Sequence, residues 1–98
     1  MATTKDYRDF IIDNLSLLDD ITCRPMMGEY ILYYKNTIFG GIYDDRFLVK
    51  KVNSNGKYRM EEDIPYNNAK AMYLVSDVDN IELLKEIVLD TCKDLIKK

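Results

Sequence analysis

Between Ile21 and Lys51 the chain alternates short runs of β-branched and aromatic residues with dipeptides suited to tight turns, and this stretch constrains the fold most. Ile31, Phe39, Ile42, Phe47 and Val49 are mixed there with Tyr30, Tyr33, Tyr34 and Tyr43, residues that favour a pleated, half-buried surface. Lys35-Asn36 and Asp44-Asp45 are natural two-residue turns, because Asn and Asp tolerate the left-handed backbone that such turns require. The pattern predicts hairpin-linked strands at 29–34, 37–43 and 46–51, preceded by a shorter one at 22–27. Arg24 is biased away from helix by the proline after it. Pro25 lacks a ladder donor, so that first strand lies at an edge or begins after it. Gly40-Gly41 inside a strand predicts a bulge or the close approach of another element.

Both flanks of this region change to helical spacing. Thr3 or Thr4 offers an N-cap with Asp6 shortly after, and Tyr7, Phe10, Ile11, Leu15 and Leu18 form one apolar stripe. A helix over 4–18 is expected, ended by an Asp19-Asp20 turn, with Phe10 as a core anchor stabilising by ~1.5–3 kcal/mol. Asn53 offers a cap for a short helix through Arg59, although Asn55-Gly56 weakens it; residues 61–68 form an irregular connection, and Ala69–Val75 is one more strand. Asp79 with Glu82 forms a second capping pair. Ile81, Leu84, Ile87, Val88, Thr91 and Leu95 then draw a stripe towards cationic Lys97-Lys98, predicting a helix over 80–97. The expected fold is α+β in two layers, with the N- and C-terminal helices packed on a mainly antiparallel sheet of about five strands. All 98 residues belong to this single domain. The strands carry bulky residues at both parities, Tyr30, Leu32 and Tyr34 against Ile31 and Tyr33. A second copy of the chain or a protein partner is therefore expected to cover the second sheet face.

The residue inventory excludes much chemistry. There is no histidine, hence no imidazole base, imidazole metal ligand or imidazole pH switch. Cys23 and Cys92 cannot complete a four-ligand zinc site; they are read as small buried hydrophobes, with a disulfide between them as the alternative. Gly40-Gly41 lacks the following helix start and Lys-Ser/Thr of a phosphate loop. Ser16, Ser54 and Ser76 lie outside any nucleophile elbow. The pairs Asp19-Asp20, Asp44-Asp45 and the run Glu61-Glu62-Asp63 are turn residues expected to point apart into water. The expectation is a non-enzyme with no catalytic residues, no cofactor and no metal. No run approaches the ~18 apolar residues of a membrane span, and the first residues lack a signal peptide's apolar stretch, so a cytoplasmic protein without a membrane partner is expected.

Charge and aromatic content point to binding. The net charge of −3 argues against general affinity for a phosphate backbone, so direct nucleic-acid binding is not expected. Residues 21–60 nevertheless carry seven cations against three anions, on an otherwise acidic chain. Eight tyrosines stand against three phenylalanines and no tryptophan, a set that packs rings while keeping a wet hydroxyl. Tyr30, Tyr33, Tyr34 and Tyr43 beside Arg24 and Lys50 suit a protein interface, since Tyr and Arg are enriched in interface cores. Rings that simply pack the sheet, or that stack single-stranded bases, are the alternatives.

The ordered segment Arg24-Pro25-Met26-Met27-Gly28-Glu29-Tyr30, followed by Tyr33, Gly40-Gly41 and Asp45-Arg46-Phe47-Leu48-Val49-Lys50, resembles the N-terminal domain of the TfoX/Sxy family of bacterial competence regulators. The likeness runs from Ile21 through the Pro65-Tyr66 turn to the last helix; Met27 stands where many relatives have Phe. The resemblance implies a small α+β fold similar to the secretion-chaperone-like architecture, in a single-domain member without the helical C-terminal domain of longer relatives. It implies no catalytic residues and a regulatory role through protein contact, with a transcription component as partner. Met26, Gly28, Gly40 and Gly41 form its structural motif. Arg24, Glu29, Tyr30, Tyr33, Tyr34, Tyr43 and Lys50 make the expected binding face, with Arg24 paired to Glu29. A self-associating, chaperone-like scaffold, that is a homodimer, is the alternative.

Overall fold

The computed structural model describes residues 3–96. In chain order the elements are α1 (Lys5–Asn14), β1 (Ile21–Met26), β2 (Glu29–Tyr34), β3 (Thr37–Tyr43), β4 (Arg46–Val49), a 3-10 turn (Gly56–Tyr58), β5 (Glu61–Asp63), β6 (Met72–Leu74) and α2 (Ile81–Ile96). The fold is α+β, and its sheet has six strands in the order β1-β2-β3-β4-β6-β5, every neighbouring pair antiparallel. The strand beyond the expected five is β5, three acidic residues with no strand propensity. Its pairing with β6 is long-range in origin, and its charges suit an edge that should not recruit another strand. Two of them are answered by cations, Glu62 by Lys51 at 3.1 Å and Asp63 by Arg46 at 2.7 Å.

Turn chemistry sets the register of β1 to β4. Met27-Gly28, Lys35-Asn36 and Asp44-Asp45 each place both central residues at positive φ, between 50° and 87°. That geometry matches the right-handed twist of the flanking strands, so two residues suffice for each reversal. Between β2 and β3 the register shifts: Leu32 faces Gly40, Tyr33 faces Ile38, and Phe39 is the extra residue of a bulge. The bulge delivers the Phe39 ring into the core, where it is fully buried. Gly40 meets the other expectation as well, because a Cβ there would lie 2.2 Å from the Leu48 carbonyl oxygen. Pro25 sits on edge strand β1, where its missing N–H costs the ladder nothing.

Both helices cover one sheet face. Ile11, Leu15 and Leu18 from the α1 region and Leu84, Ile87, Val88 and Cys92 from α2 pack with Leu32, Phe39, Ile42, Phe47, Val49 and Val75. Thr4 caps α1, its hydroxyl accepting from the Tyr7 N–H. The helix stops at Asn14, shorter than its stripe suggested, with Leu15 as its C-cap and Leu18 reaching the core from the following turn. Acidic Asp13, with no cation in the last turn, opposes the helix dipole at that end. The Asn14 amide is drawn instead to the Val78 carbonyl at 2.7 Å. Phe10 is not the core anchor: it is 38% exposed beside the Tyr7 ring, and Ile11 takes the core position. Asn80 rather than Asp79 caps α2, accepting from the Leu83 N–H. The strand expected over 69–75 contracts to Met72–Leu74, and the helix expected from Asn53 becomes one 3-10 turn. Lys97-Lys98 lie outside the described residues.

The connection 50–60 runs on the helix side. Its Asn55, Ser54 and Tyr58 bond Thr91, Asp94 and Asp90 of α2. The connection 64–71 between β5 and β6 returns on the opposite side, where Arg46 of β4 reaches it.

Candidate functional site

Cross-strand register assigns the side chains of the face away from the helices. Thr22, Arg24 and Met26 of β1 share it with Ile31 and Tyr33 of β2, Gly41 and Tyr43 of β3, and Arg46 and Leu48 of β4. The chain itself covers the β3–β4 half, correcting the expectation that a second molecule is needed there. The Arg46 guanidinium donates to the carbonyls of Ile64 and Pro65 at 3.2 and 3.3 Å and pairs with Asp63, fastening segment 64–71 as a strap. Hydrogen bonds from Arg46 and the Ile64 N–H hold the Asp63 carboxyl below its ordinary pKa. The Tyr66 ring lies 6.0 Å from that of Tyr43, and Tyr43 and Leu48 are buried. Burial, with Tyr66 and Glu29 nearby, raises the Tyr43 pKa.

The other half of this face is bare. Thr22, Arg24 and Met26 are exposed, Ile38 is exposed at its border, and the Arg24 guanidinium sits 5.5 Å from the Tyr33 ring centre. A cation stacked on a ring in this way forms a preassembled contact patch.

The expected binding residues therefore divide into three pairs, with Glu29 apart from all of them. Arg24 and Tyr33 stand together on the bare half, and Tyr43 and Lys50 border the strap. Tyr30 and Tyr34 do not join them: they share parity with Leu32 and pack against the helix-side core. Arg8 of α1 covers the Tyr30 ring at 5.1 Å and Lys35 that of Tyr34 at 5.5 Å. Strand alternation forces this split, since neighbours in sequence face opposite ways. Glu29 does not pair with Arg24. Its carboxylate accepts from the Thr3 hydroxyl at 2.7 Å, the Thr3 N–H at 3.2 Å and the Asp44 N–H at 2.9 Å. It thus ties the chain's start to two hairpin turns. Gly28 occupies a left-handed turn position at φ 87°, and Met26 is 40% exposed at the end of β1.

Under the strap lies a cleft of about 650 Å³, lined by Ile38, Gly40, Tyr43, Lys50, Lys51, Pro65, Tyr66, Ala69, Lys70, Ala71 and Met72. Tyr66, Lys51, Lys70 and Met72 are functional candidates that sequence reasoning missed. The aperiodic Pro65-Tyr66-Asn67-Asn68 stretch carried no sequence signal for this, because its place is set by the long-range bonds of Arg46. Lys51 is engaged by Glu62 and lies over the Tyr73 ring at 5.7 Å.

Burial disfavours the thiolate form of both cysteines. Both cysteines are free; burial pushes the Cys92 thiol up to about 11 and raises that of Cys23. Among the described residues no group of three or more metal-ligating side chains assembles, and no helix is long and apolar enough to cross a membrane.

No family model matches the chain. It is 30% identical over 80 residues to the uncharacterized 12.7 kDa protein in the trpE 5′ region of Spirochaeta aurantia, covering 80% of this chain and 70% of that one. The chain belongs to that protein's family. An alignment of this length takes in every strand from β1 to β6 wherever it begins, so the meander and the strap-bearing segment fall within the aligned span.

Proposed function

We propose that this protein is a cytoplasmic, non-enzymatic regulatory module of the TfoX/Sxy N-terminal type that acts by contact with another protein. A transcription component is the partner class that the sequence resemblance implies. The observation that carries the reading is the bare half-face, where Arg24 is stacked on Tyr33 between exposed Met26 and Ile38. Folding leaves this patch uncovered while burying its neighbours under the strap. An Arg-Tyr pair with an apolar border has the composition of an interface centre.

Capture from native cytosol with wild-type, Arg24→Ala and Lys50→Ala baits, followed by titration of the purified partner, tests this. A partner bound through the patch is lost from the Arg24→Ala bait, retained by Lys50→Ala, and weakened by ~2 kcal/mol, near thirtyfold in Kd. The thermal midpoint of Arg24→Ala should stay within a few degrees, because Arg24 is exposed. If no protein discriminates between the two baits, the reading fails. Light scattering separates the second reading, a self-associating scaffold, favoured by the unpaired outer edge of β1 beside the same patch. A dimer at high micromolar concentration that Arg24→Ala dissociates would replace the partner by a second copy.

A further inference from the structure

We propose that the cleft beneath the 64–71 strap binds a small anionic molecule with a flat apolar body, its carboxylate or phosphate held by Lys50 and Lys70. This goes beyond the protein-contact reading, which rests on the other half of the sheet face. The volume, about 650 Å³, falls within the ~300–1,000 Å³ range of small-molecule sites. The walls have the required mixture. Tyr43, Tyr66, Ile38 and Met72 present rings and apolar surface, while Ala69 and Ala71 leave room beside them.

Charge selects the ligand. Lys50 and Lys70 line the cleft on a chain whose net charge is −3, while Lys51, also at its wall, turns its ammonium to Glu62 and the Tyr73 ring. Lys51 has its counter-ion in Glu62, whereas Lys50 and Lys70 form no ion pair among the described residues. Two cations at one cleft without an ion-pair partner can meet an incoming oxyanion without breaking an existing pair. A long polyanion is disfavoured by the acidic remainder of the molecule. The cleft is also built before any ligand arrives. Arg46 pins the strap through two carbonyls and Asp63, so little ordering remains to oppose binding.

The test is a fluorescence titration with 8-anilinonaphthalene-1-sulfonate, an aromatic anion, with uncharged N-phenyl-1-naphthylamine as its control. One equivalent of the sulfonate should bind, and binding should weaken as salt rises. The Lys50→Gln/Lys70→Gln double variant should bind it roughly tenfold less tightly, each exposed cation being worth a few-fold. Arg24→Ala should bind as wild type does, and the uncharged probe should not respond to either variant. Displacement by adenosine monophosphate identifies a phosphate ligand, and displacement by 2-naphthoate a carboxylate. Amide shifts confined to residues 38–50 and 64–72 would place the probe under the strap. Undiminished binding to the lysine double variant, loss of binding in Arg24→Ala, or amide shifts centred on residues 22–26 and 31–33 would each overturn the proposal and leave the protein-contact reading standing.

Discussion

Replacing Asn55 by alanine should destabilise the fold far more than its place in a connection suggests. Asn55 has no exposed surface and uses its whole amide. Nδ2 donates to the Lys50 carbonyl and to the Thr91 hydroxyl, both at 2.8 Å, and Oδ1 accepts from the Val52 N–H at 3.2 Å. Thr91 in turn donates to the Ile87 carbonyl at 2.7 Å, so the cluster joins the 50–60 connection to α2. Alanine strands the Lys50 carbonyl and the Val52 N–H and leaves a small void. At ~1 kcal/mol net per hydrogen bond, three bonds plus the void come to about 2–4 kcal/mol. Against a stability of ~5–15 kcal/mol for a domain of this kind, that is a large share. The midpoint should fall by about 10–25 °C, at roughly 4–8 °C per kcal/mol for this size. Urea unfolding of wild type, Asn55→Ala, Thr91→Val and the double variant measures it. Thr91→Val alone should cost ~1–2 kcal/mol, and the double variant should lose less than the sum of the singles. An Asn55→Ala loss below ~1 kcal/mol, or strict additivity, would refute the assignment of Asn55 as the bolt between connection and helix.

The remaining predictions concern glycine and pH. Gly40→Ala should cost about 3 kcal/mol or more, because its Cβ would press on backbone at Leu48 and Val49 that cannot withdraw without parting β3 from β4. Gly56→Ala, with nothing nearer than the Tyr73 hydroxyl at 3.8 Å, should instead stabilise by ~0.4–1 kcal/mol; thermal unfolding of the pair decides. Tyr58 donates to Asp90 at 2.6 Å and Lys57 pairs with the same oxygen at 3.0 Å, holding the Asp90 carboxyl below its ordinary 3.8. A carboxyl depressed in the folded state gives its stabilisation fully above the unfolded value and loses it as pH falls through the folded one. Wild type should therefore lose more stability than Tyr58→Phe between about pH 5 and pH 2, and parallel urea series with equal losses would refute this.

The hairpins were legible because their information is local. Lys35-Asn36 and Asp44-Asp45 announce left-handed turns, and the strands over 29–34 and 37–43 have the expected bounds. Gly40-Gly41 signalled both the bulge and the close approach. Tyrosine content pointed to a surface but not to which surface. Alternation sends Tyr33 one way and Tyr30 and Tyr34 the other, so one supposed face became two. What escaped reading was long-range. The strap has no periodicity of its own and is placed by Arg46, which bonds carbonyls 18 and 19 residues away. Three acids became β5 only because β6 lies beside them, and Asn55 looked like a helix breaker until Thr91 stood opposite. Phe10 and Ile11 are adjacent and equally apolar; helix docking, not composition, chose between them.

The two-residue reversals that join β1 to β4 also dictate where chains of this family can differ in length. One residue added inside any of them without a compensating bulge would turn every later side chain through the sheet, sending Leu48 towards the helices and Phe47 towards the strap. The two long excursions, 50–60 and 64–71, have no such parity constraint and are where added residues are expected. Growth in the second would remodel the roof over the lysine-lined cleft while leaving the Arg24 patch untouched. Relatives that share the scaffold can thus diverge in what they hold beneath that roof without changing what they present beside it.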